Sequence, residues 1–185
     1  TSIACDVLIV PVAAGQEDGR DVRALARRAG GAAVKRAIAA TRFRGRAGQA
    51  TVLPVQGPRR QAVAVVGVGD QARLNAEAWR RVGGQTRQLV GTLGATRVAV
   101  ACGRHAVDTA QLVAFAEGFE LAAYRFGKYK SEADVAPAVA ELSFVVAEPP
   151  AEKSLEPVWS AFETTLAGVI LARDLVNEPP AVKTP

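Results

Sequence analysis

Four short runs of the chain are apolar almost without interruption: residues 6–12 (D-V-L-I-V-P-V), 61–68 (Q-A-V-A-V-V-G-V), 97–102 (R-V-A-V-A-C) and 142–147 (L-S-F-V-V-A). They are rich in valine and too short for core helices. Each is expected as a strand, and residues 6–12, a continuous apolar run, as one covered on both faces. Segments with three- and four-residue apolar spacing lie between them. Strands alternating with helices imply an α/β domain with a mixed, largely parallel sheet and helices on both faces. With 185 residues, 49% of them hydrophobic, the chain can bury a core of its own.

In chain order, Val22, Leu25, Ala26 and Ala29 mark a short helix that Gly30 and Gly31 stop, and residues 32–40 form a second. Arg42, Arg44 and Arg46, interleaved with Phe43 and Gly45, form a basic loop. Its bland reading is a solvated surface; its sharper one is contact with phosphate or single-stranded nucleic acid through an aromatic between arginines. Residues 49–55 make a strand that Pro54 confines to an edge or an end, joined to the next through the Gly57-Pro58 turn. That next strand runs into Gly67, Val68, Gly69, Asp70, Gln71 and Ala72, a G-x-G-x-x-A pattern and the chain's one phosphate-cradle candidate. A dinucleotide fold also needs a carboxylate about twenty residues on, and none stands near residues 87–91. The glycines are therefore expected to serve a sharp strand-to-helix turn.

A long helix over residues 75–93 follows, with Asn75 as N-cap, Ala78, Val82, Leu89 and Leu93 as its apolar line, and Gly94 as its stop. Gly83 and Gly84 suggest close packing against the sheet. Asp108 and Gln111 form a capping box, after which Leu112, Phe115, Phe119, Ala122 and Phe126 repeat at helical spacing. Lys128 and Lys130 complement that helix's C-terminal end. The last helix has Ser154 as N-cap, Pro157 in its first turn, and a stripe of Val158, Phe162, Leu166, Val169, Ala172 and Val176. It should end near Asn177 or Glu178, because Pro179 and Pro180 follow. An amphipathic helix with a proline exit is expected to be a connector to a further domain, with the boundary in residues 148–153.

Several functions are disfavoured by composition. The single histidine, His105, cannot supply a triad with a second base or a two-histidine metal site. Cys5 and Cys102 sit in or beside apolar runs and need no disulfide, as expected of a reducing cytoplasm. The net charge of +5 is scattered, with no run of five like charges, so nucleic acid is not the expected partner. No signal peptide is evident, and no apolar stretch reaches the roughly 18 to 20 residues of a membrane span.

The stretch A-R-D-L-V-N-E-P-P-A-V-K-T-P resembles the hand-over from the N-terminal to the catalytic domain in the leucine aminopeptidase (cytosol aminopeptidase) family. The matching positions are Arg173, Asp174, Leu175, Asn177, Pro179, Pro180, Thr184 and Pro185. A second stretch is similar to that family's N-terminal domains through Glu117, Gly118, Leu121, Tyr124, Phe126, Tyr129 and Lys130. The resemblance implies a three-layer, macro-domain-like N-terminal domain over residues 1–150. Residues 151–185 would be the linker helix and the first residues of a catalytic domain.

By the same resemblance, the intact protein is a cytoplasmic metallo-aminopeptidase removing N-terminal residues, often leucine, with two manganese or zinc ions in its C-terminal domain, assembled as a hexamer. The family's metal-binding asparagine-threonine-aspartate-alanine-glutamate-glycine-arginine run does not occur here. Asp6, Glu77, Asp108, Glu117 and Glu163 fall on separate elements, unlike the cluster that two metals about 3.5 to 4 Å apart need. No catalytic, metal or cofactor residue is therefore assigned, and the expected role is domain packing and oligomer assembly. Two other readings are a stand-alone module binding ADP-ribose or another phosphate compound at residues 67–72, and a DNA-binding accessory role through residues 42–46.

Overall fold

In the computed structural model, residues 4–20, 22–23, 31–54, 62–103, 108–129, 138–147, 149 and 151–179 are described. Five strands, β1 (Val7–Ala13), β2 (Ala50–Pro54), β3 (Ala62–Gly69), β4 (Arg97–Gly103) and β5 (Glu141–Val146), form one sheet in the order β2-β3-β1-β4-β5. β1 pairs in parallel with β3 and β4, and β4 with β5, while β2 alone is antiparallel. The α/β class and the mixed, mostly parallel sheet are as expected, and β2, with Pro54 at its end, lies on an edge.

The central strand explains why its residues are apolar on both sides. Val7 and Ile9 face one core with Val66, Val68, Val98 and Val100, while Val10 and Val12 face another with Val63 and Val65. The second core is roofed by α1 (Gly31–Ala40) through Val34 and Ile38, with Phe43 beneath. The first is roofed by α2 (Ala76–Leu93) and α3 (Thr109–Ala123), which supply Trp79, Val82, Val90, Phe115 and Phe119. A fourth helix, α4 (Glu152–Asn177), lies outside α3 and β5, where Phe162 meets Val113 and Ala116.

The helix starts follow from local chemistry. Asn75 Oδ1 accepts from Ala78 N at 2.9 Å, and Asp108 and Gln111 close their capping box. Gly94 ends α2 in the left-handed region at φ 63°.

Four details differ from the sequence reading. The inner face of α2 is Trp79, Val82, Gly83, Thr86 and Val90, while Leu93 is 38% exposed. Trp79, the largest buried side chain, had been outside the expected line. Gly83 packs against helix α3, not the sheet: a Cβ there would collide with the Phe115 carbonyl, and one on Gly118 with the Arg80 carbonyl. Contacts of Leu74 with Gln111 and Arg80 with Glu117 set the two helices parallel and side by side. α4 begins at Glu152 with Ala151 as an N-cap lacking a side-chain bond; Ser154 instead donates to the Ala151 carbonyl at 2.7 Å. Pro157 therefore sits in the second turn, where it leaves one carbonyl of the preceding turn without its helical donor. The expected helix over residues 22–29 is described only at Val22 and Arg23; the Gly57-Pro58 turn, His105 and Lys130 lie outside the described residues.

One carboxylate joins distant parts of the sheet. Asp6 Oδ2 accepts from Thr96 N at 3.1 Å, Thr96 Oγ1 at 2.9 Å and Arg97 N at 2.9 Å, and Oδ1 accepts from Arg97 Nη2 at 3.1 Å. The Arg97 amide first, then the Thr96 hydroxyl, hold its pKa down at about 2. Because the folded pKa lies below the unfolded value, this contribution is complete above about pH 4 and is lost as pH falls toward 2. Asp6→Ala is expected to cost about 2 kcal/mol at pH 7 in urea unfolding, and nearly nothing at pH 2.

Candidate interdomain junction

α3 ends at Ala123, and Tyr124, at φ −54° and ψ 126°, takes the chain off the helix. Local spacing alone continues that helix through Phe126; instead, residues 124–129 turn to meet the end of α4. The Tyr124 hydroxyl donates to Asp174 Oδ1 at 2.8 Å and accepts from Asn177 Nδ2 at 3.2 Å. Arg173 Nη1 donates to the Leu121 carbonyl at 2.9 Å, and its guanidinium lies 5.3 Å from the Tyr124 ring centre. Glu178 accepts from Lys128 Nζ and from the Tyr129 hydroxyl, the latter at 2.6 Å. Lys128 thus pairs with a carboxylate of the next helix end and does not serve the carbonyls of α3.

Weights differ among these contacts. The Lys128 side chain is 56% exposed, so its ion pair alone adds little. The Tyr124 and Arg173 bonds are partly buried and charge-assisted, and the cation over the ring adds about 0.5 to 1 kcal/mol. Loss of water, then the Asp174 carboxylate, raise the Tyr124 pKa, and the bond to Glu178 raises those of Tyr129 and Lys128. All three groups keep their protons at neutral pH, so every donor in the junction is present.

The rest of α4 is lightly anchored. Phe162 is its buried residue, with Leu155 and Leu166 packed partly beside it. The middle of the expected stripe faces inward, with Phe162 buried and Leu166 and Val169 half-buried, but its ends do not: Val158 is 37% and Val176 77% exposed, and Ala172 is exposed. The inward line is Leu155, Phe162, Leu166 and Arg173. Residues 166–176 are apolar almost all round, so periodicity could not choose the inward face, and contact with α3 does. At about 100° per residue, Leu171 (60% exposed) and Leu175 (56% exposed) point away from that line, on the face that also carries Gly168. An apolar helix surface of this kind suits burial against another body. After Asn177, Glu178 takes extended backbone before Pro179.

The other candidates resolve into structure. Phe43 is 1% exposed and belongs to the core, so it cannot stack on a base, and Arg44 leans on Glu17 at 3.7 Å. The crevice over Gly67 is filled by the chain itself: a Cβ on Gly67 would strike the Arg46 carbonyl, and Gly69 N donates to the Gly45 carbonyl at 2.9 Å. The Ala72 amide is taken by Asp70 Oδ1 at 3.0 Å. Burial raises the Cys102 pKa to about 12, so it is an unreactive thiol at neutral pH.

Among the described residues, no three His, Cys, Asp or Glu side chains gather in a way that could hold a metal ion. Asp6 ties strands, Glu77 and Glu117 hold Arg80, Asp108 caps α3, and Glu163 accepts from Trp159. These residues do not fit a metal centre, and no metal-dependent step is assigned to them. No helix among the described residues is long and apolar enough to cross a membrane.

The fold and the junction together define an α/β domain whose last described helix, α4, keeps Leu171 and Leu175 exposed. Comparison with known proteins gives the kind. The pattern of the Cytosol aminopeptidase family, N-terminal domain, matches residues 9–133, and the chain belongs to that family. A probable cytosol aminopeptidase of Rhodopseudomonas palustris is 36% identical over 178 residues, covering 91% of this chain and 35% of the relative. One from Methylorubrum populi is 37% identical over 160 residues, covering 85% and 31%. The chain thus spans about a third of the length of these relatives. A mutant of tomato leucine aminopeptidase shares the fold at TM-score 0.76 and 20% identity, over 100% of this chain and 38% of that one. The bottromycin maturation enzyme BotP, solved in complex with Mn, aligns at TM-score 0.64 and 27% identity, over 98% and 34%.

Neither motif stretch reveals the other as its partner. The one available signal is Arg173, a charged residue four and seven positions along from Val169 and Leu166 on the inward face, where a polar partner was required.

Proposed function

We propose that this chain is the non-catalytic N-terminal domain of a cytoplasmic metallo-aminopeptidase that removes N-terminal residues, leucine preferred, from peptides. Residues 1–150 form the domain, and residues 151–185 carry the link to a catalytic domain holding two divalent ions, manganese or zinc. The domain's work is packing and assembly, toward a hexamer. The observation that carries this reading is the outer face of α4, with Leu171 and Leu175 more than half exposed beside a hydrogen-bonded exit. Such a face excludes little water by itself and gains from cover by the catalytic domain.

The test uses the full-length protein. Leu171→Asp combined with Leu175→Asp is expected to open the segment after residue 179 to limited proteolysis and to lower the oligomer mass in light scattering. The circular dichroism of the domain should stay unchanged. Wild-type full-length protein should hydrolyse leucine p-nitroanilide with added manganese, and residues 1–185 alone should not. Unchanged proteolysis and mass in the double variant would remove the packing role; hydrolysis by residues 1–185 would remove the non-catalytic one.

A further inference from the structure

The carboxyl ends of parallel strands are where α/β sheets commonly take ligands. On this sheet the crevice beside β3 is plugged by Gly45 and Arg46, but a cavity of about 540 Å³ remains on the other side of that loop. Glu17, Asp18, Val22, Arg23, Lys35, Ile38, Ala39 and Arg44 line it, from the loop after β1, from α1 and from the loop that follows. Its size lies within the usual range for small-molecule sites.

The polar groups are arranged unevenly. Glu17 Oε1 has Arg44 at 3.7 Å, but Glu17 Oε2 is buried with no hydrogen-bond partner. A buried carboxylate oxygen without a donor is costly and calls for one. Arg23 Nε donates to the Asp18 carbonyl at 2.7 Å, which holds the rim of the cavity. Lys35 makes no ion pair with a described residue, so its ammonium is available. Val22 and Ile38 are buried and form an apolar floor.

A simple anion would satisfy Lys35 and leave Glu17 Oε2 without a donor; a simple amine would do the reverse. We propose that this cavity binds a small zwitterion of the free α-amino acid class, with its ammonium on Glu17 and its carboxylate toward Lys35 and Arg44. An aliphatic side chain would rest on Val22 and Ile38. The site is separate from the α4 junction, and its existence does not depend on the aminopeptidase reading.

Hydrogen–deuterium exchange of the full-length protein, read by mass spectrometry on peptides covering residues 14–23 and 35–44, tests it with L-leucine as probe. Exchange in these peptides is expected to slow about tenfold at ten times the Kd. 4-Methylvalerate, which lacks the ammonium, and 3-methylbutylamine, which lacks the carboxylate, should each leave it unchanged at the same concentration. Glu17→Ala should abolish the leucine effect while preserving exchange across β1 and β3. No slowing with leucine, equal slowing with 4-methylvalerate, or a leucine effect that survives Glu17→Ala would each overturn the proposal.

Discussion

Phe115→Ala is expected to destabilise the domain by about 3 to 5 kcal/mol, measured as the shift of the urea midpoint at unchanged slope. Phe115 is 1% exposed and is the aromatic on which the first core converges. Its ring lies 6.4 Å from that of Trp79, 6.3 Å from Phe119 and 5.4 Å, edge-on, from Phe144 of β5. It therefore joins α2, α3 and an edge strand, and truncation leaves a cavity between three elements that cannot all close on it. A loss below about 1 kcal/mol would mean that the core collapses around the gap, against the close packing the structure implies.

The two adjacent glycines of α2 are expected to respond with opposite sign. Gly83→Ala should cost about 3 kcal/mol, since the added methyl would overlap the Phe115 carbonyl and force the two helices apart. Gly84→Ala should stabilise by up to about 1 kcal/mol, through helix propensity. Its Cβ would meet the Gly118 carbonyl at 3.5 Å and Ala122 Cβ at 3.8 Å, which are ordinary contacts. Thermal unfolding of both variants decides the matter. If they shift the midpoint the same way, the helices are not held at the separation seen here. Gly118 offers the reciprocal check, because a methyl there would overlap the Arg80 carbonyl.

Much of the fold was legible from the residues. The strands fell on the short valine-rich runs, β1 with both faces covered as its continuous apolar run required, and Asn75, Asp108 and Gly94 marked helix ends that the structure keeps. The candidate junction was half legible: both stretches stood out as family motifs, but as separate helix ends. The spacing found Phe162 and Leu166 of α4 but not the outward turn of Ala172 and Val176, because residues 166–176 are apolar on nearly every side, and Trp79 lies one position off the apolar line of α2. Phe43 looked available for stacking between its arginines, yet its ring completes the core under α1.

Caps, proline exits and apolar periods act across about four residues, so the chain's own order of side chains determined what each segment became and where it stopped. It also carried the family likeness. Which segments meet was decided only in three dimensions. The step from β3 through α2 to β4 crosses over β1 and sets α2 parallel to α3, bringing Gly83 against Phe115. The placement of α4 beside α3 then brings Tyr124 to Asp174, 50 residues away. Contacts of that kind arise from sheet order and helix packing, which no local pattern encodes.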